Sequence, residues 1–334
     1  RDLVRSRGLG DVYKRQVKGV IPSEVPSSYG MEALKAQAVC ARSYAYIQMM
    51  HNKYEAYGAH VDDSVNFQVY NKQNQTPETV AAVDETKGQV LSYKGDIIET
   101  YYYSTSYGHT GDYEAWNLDK DAYGYLQGVW VRSEENPIDL SDEKSFLDYI
   151  SNIDSACYES DLKYFRWNTV LDFQGKDETL LHTIADRKEH QPEAISYYKD
   201  ASKTEKTDSC SNFGSLQAIK VVKRNQSGVI LELELDFQNG AVSVQSEYNM
   251  RAILGCGITN INLLDGSSVE MSILPSAYIS IQAKGDGTYA VLGGGYGHGI
   301  GMSQNGAQKL CGQGFDYKRI LNYFYQDTEL TELY

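Results

Sequence analysis

The chain has 334 residues, 41% of them hydrophobic, enough to bury a core in one large domain or two ordinary ones. Its 31 basic and 45 acidic side chains leave a net charge of -14, which excludes a generic binder of nucleic acid or of anionic membrane. Five widely scattered cysteines, with no CxxC pair, give no zinc signature, and their odd number excludes a full disulfide framework.

The first sixteen residues, RDLVRSRGLGDVYKRQ, crowd five basic groups into an acidic chain without periodicity. They read as a non-native tail, and 17–334 as the folded domain. No apolar run reaches the length needed to cross a bilayer, and no signal peptide opens the chain. Any membrane association is therefore expected only through an N-terminal anchor that these residues lack.

Next comes GVIPSEVPSS, read as a loop stiffened by Pro22 and Pro26, with Glu24 among Val20, Ile21 and Val25. A carboxyl held in such an apolar setting titrates above the ordinary carboxylate range, as a general acid near neutrality requires. Met31 to His51 has the period of a helix: Leu34, Ala38, Ala41, Ala45 and Met49 form one stripe, and Ala36, Val39, Cys40 and Ile47 lie opposite. Apolar nearly all round, it is expected to be buried. Lys35 and Arg42, two turns apart, share one face, and Gln37 borders the stripe. A buried cation needs an ion partner or a wet cleft.

A second helix is expected from Pro77 to Lys87, stopped by Gly88. A hairpin follows, Gln89–Tyr93 and Ile97–Ser106 about a Lys-Gly-Asp turn, ending in the hydroxyl run Ser104, Thr105 and Ser106. Residues 137–212 turn charged and helix-prone and read as an insertion or subdomain. Strands return from Leu216 to Val244 about an Asn-Gln-Ser-Gly turn. Short turns between consecutive strands make this an α+β chain, mainly antiparallel sheet, with a long buried helix and a more helical middle.

The last chemistry-bearing stretch is GGGYGHGIGMSQNGA, between an apolar strand ending at Leu292 and a helix capped by Ser303 and stopped by Gly312. Read as an extended chain, its alternating glycines leave one face bare while Tyr296, His298 and Ile300 project from the other. A nucleotide loop is not supported, because no Gly-Lys-Ser/Thr ends it.

Taken together and in this order, GVIPSEVPSSYGMEALKAQAVCARSYAY, STSYGHT, GGGYGHGIGMSQNGA and ILNYFYQDTEL resemble the stage II sporulation protein D and amidase enhancer (LytB) family, from about Val17 to the C-terminus. The resemblance implies an extracytoplasmic peptidoglycan lytic transglycosylase, cutting between N-acetylmuramic acid and N-acetylglucosamine and leaving 1,6-anhydro-muramyl ends. It puts Glu24 at the position of the catalytic acid, later base. It implies glycan contacts by Lys35, Gln37, Arg42, Ser104, Thr105, Ser106, His298, Ser303 and Gln304, no cofactor and no metal. The partners it implies are peptide-stripped glycan strands and a cell-wall amidase, with no nucleic acid. The alternative is a non-catalytic wall-binding or amidase-stimulating module. The chain departs from the family at Tyr103 and Tyr107, where the hydroxyl strand commonly carries His and Gly, and only His109 stands where some relatives carry a Cys/His cluster.

Overall fold

The computed structural model describes residues 17–50, 75–134 and 137–333. The chain divides into two compact units: residues up to 103 with 125–127 and 301 onward form the first, and 104–124 with 128–300 the second.

In the first unit the segment read as a loop is helical over residues 17–24 (α1). Val17, Val20 and Ile21, all buried, fall at helical spacing, and Val25 N–H donates to the Ile21 carbonyl at 3.0 Å to close the last turn. Helix α2 (Met31–Met50) then runs as expected, with Leu34, Ala38, Ala41, Ala45 and Met49 buried; His51 lies outside the described residues. Helix α3 (Pro77–Glu85) opens with a capping box in which Thr76 and Thr79 exchange hydrogen bonds. Side chains of α1, α2 and α3 make one apolar cluster, including Ile21, Leu34, Ala41 and Val83. Strand β1 (Gln89–Tyr93) turns through Lys94 and Gly95, both at positive φ, into β2 (Asp96–Ile97). The expected long second strand is cut short there. Its continuation appears as β3 (Tyr102–Tyr103), which belongs to another pairing.

The second unit carries the short helices α4 (Lys120–Tyr123) and α5 (Glu143–Ile150), and the longer α6 (Asp177–His190) and α7 (Glu247–Gly255). Its strands are β4 (Trp167–Asp172), β5 (Ile195–Tyr198), β6 (Lys206–Thr207), β7 (Leu216–Arg224), β8 (Ile230–Phe237), β9 (Gly240–Val244), β10 (Ile261–Leu263), β11 (Ser268–Val269), β12 (Ile279–Ala283) and β13 (Thr288–Gly293). They form two five-stranded antiparallel sheets, ordered β11-β10-β4-β13-β12 and β6-β5-β9-β8-β7. One core cluster draws on both, with Leu171, Val291, Ile195, Leu235 and Val242, and on Ile184 of α6 and Ile253 of α7. Residues 137–212, expected to be an insertion or subdomain, supply β4 to the first sheet and β5 and β6 to the second.

The chain re-enters the first unit through β14 (Met302–Ser303), helices α8 (Gln304–Gly312) and α9 (Tyr317–Phe324), and β15 (Glu329–Glu332). Strand β14 pairs with β3 in parallel, and β15 pairs with β1 antiparallel. No helix among the described residues is long and apolar enough to cross a membrane.

Candidate functional site

The ten residues singled out in the sequence are divided between the units: Glu24, Lys35, Gln37, Arg42, Ser303 and Gln304 in the first, Ser104, Thr105, Ser106 and His298 in the second.

In the first unit Glu24 is half-buried at the C-terminal end of α1, and Gln304, the first residue of α8, donates its amide N–H to Glu24 Oε2 at 3.4 Å. Ser303 caps α8 by accepting from Gly306 N–H at 3.2 Å, and its side chain is fully buried. Beside Gln304, Asn305 accepts from the Tyr29 hydroxyl at 2.6 Å, tying α8 to the turn that follows α1. Two elements far apart in sequence thus hold one carboxylate and two amides.

The cations that share a face of α2 turn to α3. Lys35 bridges Glu32 and Glu85 at 2.8 Å each, and hydrogen bonding to Glu32 first, then Glu85, raises its pKa. Arg42, 2% exposed, donates to the carbonyls of Gln89 at 2.7 Å and Val83 at 3.3 Å and to the Thr86 hydroxyl at 3.3 Å, closing the C-terminal end of α3. Both side chains therefore brace the helix pair, which is the commoner use of a buried cation. Gln37 is 1% exposed, and its amide has no hydrogen-bond partner among the described residues.

In the second unit the hydroxyl run faces mostly inward. Thr105 and Ser106 are buried, and Ser106 donates from both its N–H, at 3.0 Å, and its hydroxyl to Glu159, a fully buried carboxylate that nothing in the sequence singled out. Ser104 alone of the three is half-exposed, its hydroxyl 3.1 Å from that of Thr105. His109 is buried, with Nδ1 2.6 Å from the Thr110 carbonyl, and burial lowers its pKa to about 4. Cys157, distant in sequence, comes beside this strand: a Cβ on Gly108 would lie 2.8 Å from its sulfur. No cluster of three or more His, Cys, Asp or Glu side chains suited to a metal ion occurs among the described residues.

The glycine-rich stretch is not the flat strand its period suggests. Beyond Gly293 the backbone takes positive φ at Gly295, Gly297, Gly299 and Gly301, a conformation that excludes almost every other residue at those places. Close approach adds to it: a Cβ on Gly299 would stand 2.2 Å from the Tyr278 ring. The ribbon is pinned by Tyr296 N–H to Thr105 O at 2.8 Å, Gly295 N–H to Tyr164 O at 2.8 Å, and Gly111 N–H to Gly299 O at 2.6 Å. Ile300 is buried, whereas Tyr296 and His298 remain half-exposed. Tyr296 stacks on Tyr164, centroids 4.4 Å apart at 13°, and His298 lies 5.1 Å from the ring of Trp116. Ile300 N–H donates to His298 Nδ1 at 3.1 Å, so Nδ1 is the acceptor and the ring proton sits on Nε2.

Sequence reasoning passed over Trp116, whose place is set by Asp112. This carboxylate caps the turn Tyr113–Trp116 through Glu114 N–H at 3.0 Å, and it accepts from Asn225 Nδ2 at 2.9 Å and Ser227 Oγ at 2.7 Å. Burial raises the Asp112 pKa against those hydrogen bonds. The Asp-x-x-x-Trp spacing was the available signal, but the cap becomes visible only with its partners. A groove of about 400 Å³ elsewhere in this unit, lined among others by His182, Tyr197 and Cys210, contains none of the singled-out residues.

Residues 13–93 match the sequence model of a family described as Stage II sporulation protein. The match begins inside the stretch set aside as a tail and includes Glu24, Lys35, Gln37 and Arg42. Residues 189–301 match a family described as Domain of unknown function (DUF8618), which takes in His298. Among curated proteins, the chain is 29% identical to the Amidase enhancer of Bacillus subtilis (strain 168) over 94% of its own length and 40% of that protein's. It is 25% identical to the Stage II sporulation protein D of Bacillus subtilis (strain 168), and 25% to that of Bacillus amyloliquefaciens, each over 95% of this chain and 73% of the relative. The chain thus spans well under half of the amidase enhancer and about three quarters of the sporulation proteins it matches. The stretch around Glu24 is thus similar to a family described as Stage II sporulation protein, and nearly the whole chain is similar to proteins named Amidase enhancer and Stage II sporulation protein D.

Proposed function

We propose that the protein is a peptidoglycan lytic transglycosylase acting outside the cytoplasm, with Glu24 as its single acid and base. The observation that supports this reading is Glu24 itself: a half-buried carboxyl inside the family-matched segment, its amide neighbour Gln304 uncharged. Ordinary glycosidases need two carboxyl groups. One suffices when the nucleophile is the 6-hydroxyl of the N-acetylmuramic acid residue. Protonated Glu24 gives its proton to the glycosidic oxygen as the bond to the anomeric carbon breaks. The resulting carboxylate accepts the proton of the 6-hydroxyl as that oxygen closes on the anomeric carbon. The leaving chain departs with a free hydroxyl, and Glu24 ends protonated.

The name of the amidase enhancer supports a second reading, a wall-binding module that stimulates an amidase and has no turnover of its own. Digestion of peptide-free glycan strands, followed by mass spectrometry of the ends, separates the two. The enzyme reading expects 1,6-anhydro-muramyl ends from the wild type and at least a thousandfold fewer from Glu24→Gln. Full activity in that variant, or no anhydro ends from the wild type, overturns it, and amidase stimulation with no anhydro ends establishes the second.

A further inference from the structure

The amide that meets the Glu24 carboxyl does not hold its own place. Gln304 donates to Glu24 Oε2 at 3.4 Å, outside the usual N–H···O range of about 2.7–3.2 Å, so this contact follows the seating of α8 and does not cause it. The seating comes from the next residue. Asn305 accepts from the Tyr29 hydroxyl at 2.6 Å, near the short end of O–H···O bonds. Tyr29 is in turn held at a fixed reach from Glu24. Between them stand Val25, whose side chain is buried and whose N–H closes the last turn of α1, and Pro26, whose ring locks its φ at -61°. A single 3₁₀ turn, Ser27–Tyr29, follows, in which Tyr29 N–H donates to the Pro26 carbonyl at 3.1 Å. The Tyr29 side chain packs on the apolar cluster of α1, α2 and α3. Gly30 brings the same turn against α8 at a second point: its φ is 89°, and a Cβ there would lie 2.8 Å from Cys311 Sγ. The carboxylate end of α1 and the amide end of α8 are therefore fastened to one stiff turn.

We propose that Tyr29 is a positioning residue: through Asn305 its hydroxyl sets the Gln304 amide on the Glu24 carboxyl, and so fixes the orientation in which that carboxyl exchanges its proton. That Glu24 exchanges a proton with a glycan rests on the reading above; the placement of the amide rests on the bonds themselves. It gives Gln304 a task toward the acid in place of the glycan contact that the resemblance implies. A reacting group displaced by about 1 Å loses up to about a hundredfold in rate, so a hydroxyl acting at one remove can govern turnover.

The test uses the full chain, with peptide-free glycan strands as substrate and the side-chain amide resonance of Gln304, assigned with Gln304→Met, as a second readout. Tyr29→Phe and Asn305→Leu are each expected to lower kcat about tenfold with KM within about threefold of wild type, and the double variant to fall no further than the worse single one. Tyr317→Phe deletes a hydroxyl that donates to Gln89 Oε1 at 3.0 Å elsewhere in the same unit. It is expected to leave kcat within about twofold of wild type. The Gln304 resonance is expected to move in Glu24→Gln and in Tyr29→Phe, and to stay in place in Tyr317→Phe. This readout needs no turnover and still decides the matter if Asn305→Leu fails to fold. A Gln304 resonance that does not move in Tyr29→Phe, an unchanged kcat in that variant, additive losses in the double variant, or an equal loss in Tyr317→Phe would each overturn the proposal. A wild type that yields no anhydro ends while its Gln304 resonance answers to Tyr29→Phe upholds the placement and removes the enzyme reading instead.

Discussion

Burial holds the imidazole of His109 neutral, with a pKa of about 4, and that sets a pH dependence on the whole fold. In the unfolded chain the ring titrates near its ordinary value of about 6.5. Between these values the unfolded state binds the extra proton, so the contribution is complete above pH 6.5, fades as pH falls toward 4, and declines no further below. A gap of about 2.5 pH units corresponds to about 3 kcal/mol. Denaturant melts at pH 7 and pH 4.5 are expected to show this loss in the wild type and a smaller one in His109→Gln; equal losses would refute the assignment. Arg42→Met is expected to cost about 3 kcal/mol by the same measurement, since it strands the carbonyls of Gln89 and Val83. At this scale the sequence was legible as residue type and face. It placed Lys35 and Arg42 together and marked both as in need of partners. The partners themselves, Glu85, Val83 and Thr86, come from a helix some forty residues onward, and no local pattern names them. The buried partner of Ser106, Glu159, is likewise beyond any local pattern, lying more than fifty residues away.

Elements were more legible than their partners. Strand β7, strand β13, the Ser303 cap and the Gly312 end of α8 were all written in local chemistry, because caps, turns and two-residue alternation act over a few residues. Two misreadings share a cause. Prolines at 22 and 26 hid the helical spacing of Val17, Val20 and Ile21, and alternating glycines looked like a strand face when they answer to positive φ. In both, a special residue was read for its commonest habit. Ser303→Ala is expected to lower stability by about 1 kcal/mol, measured as the denaturant midpoint, by uncapping α8. Gly299→Ala should be far more damaging, about 3 kcal/mol or more, since it combines a positive φ of 82° with a Cβ inside the Tyr278 ring. A thermal midpoint within 2 °C of wild type would show that the ribbon is looser than described.

For the whole molecule, class and charge were legible in the sequence but the division into units was not, because it depends on which strands far apart in the chain pair with one another. All five cysteines are free thiols. Cys40, Cys157 and Cys210 are buried, and burial pushes the first two up to about 12, whereas Cys256 and Cys311 are partly exposed. A thiol-reactive dye at pH 8 is therefore expected to label two groups quickly in the native protein and all five in denaturant; five fast groups would contradict the burial pattern.

The first unit joins residues up to 103 with residues from 301 onward, β15 closing on β1 and the Gln304 helix end meeting Glu24. A chain emerging vectorially from a ribosome or an export channel therefore exposes its acid long before the segment that buttresses it has been made. The interior stretch can ripen first, and Glu24 gains its amide neighbour only once the residues from 301 onward have emerged. If Glu24 cuts the wall as proposed, that ordering keeps a half-made molecule harmless.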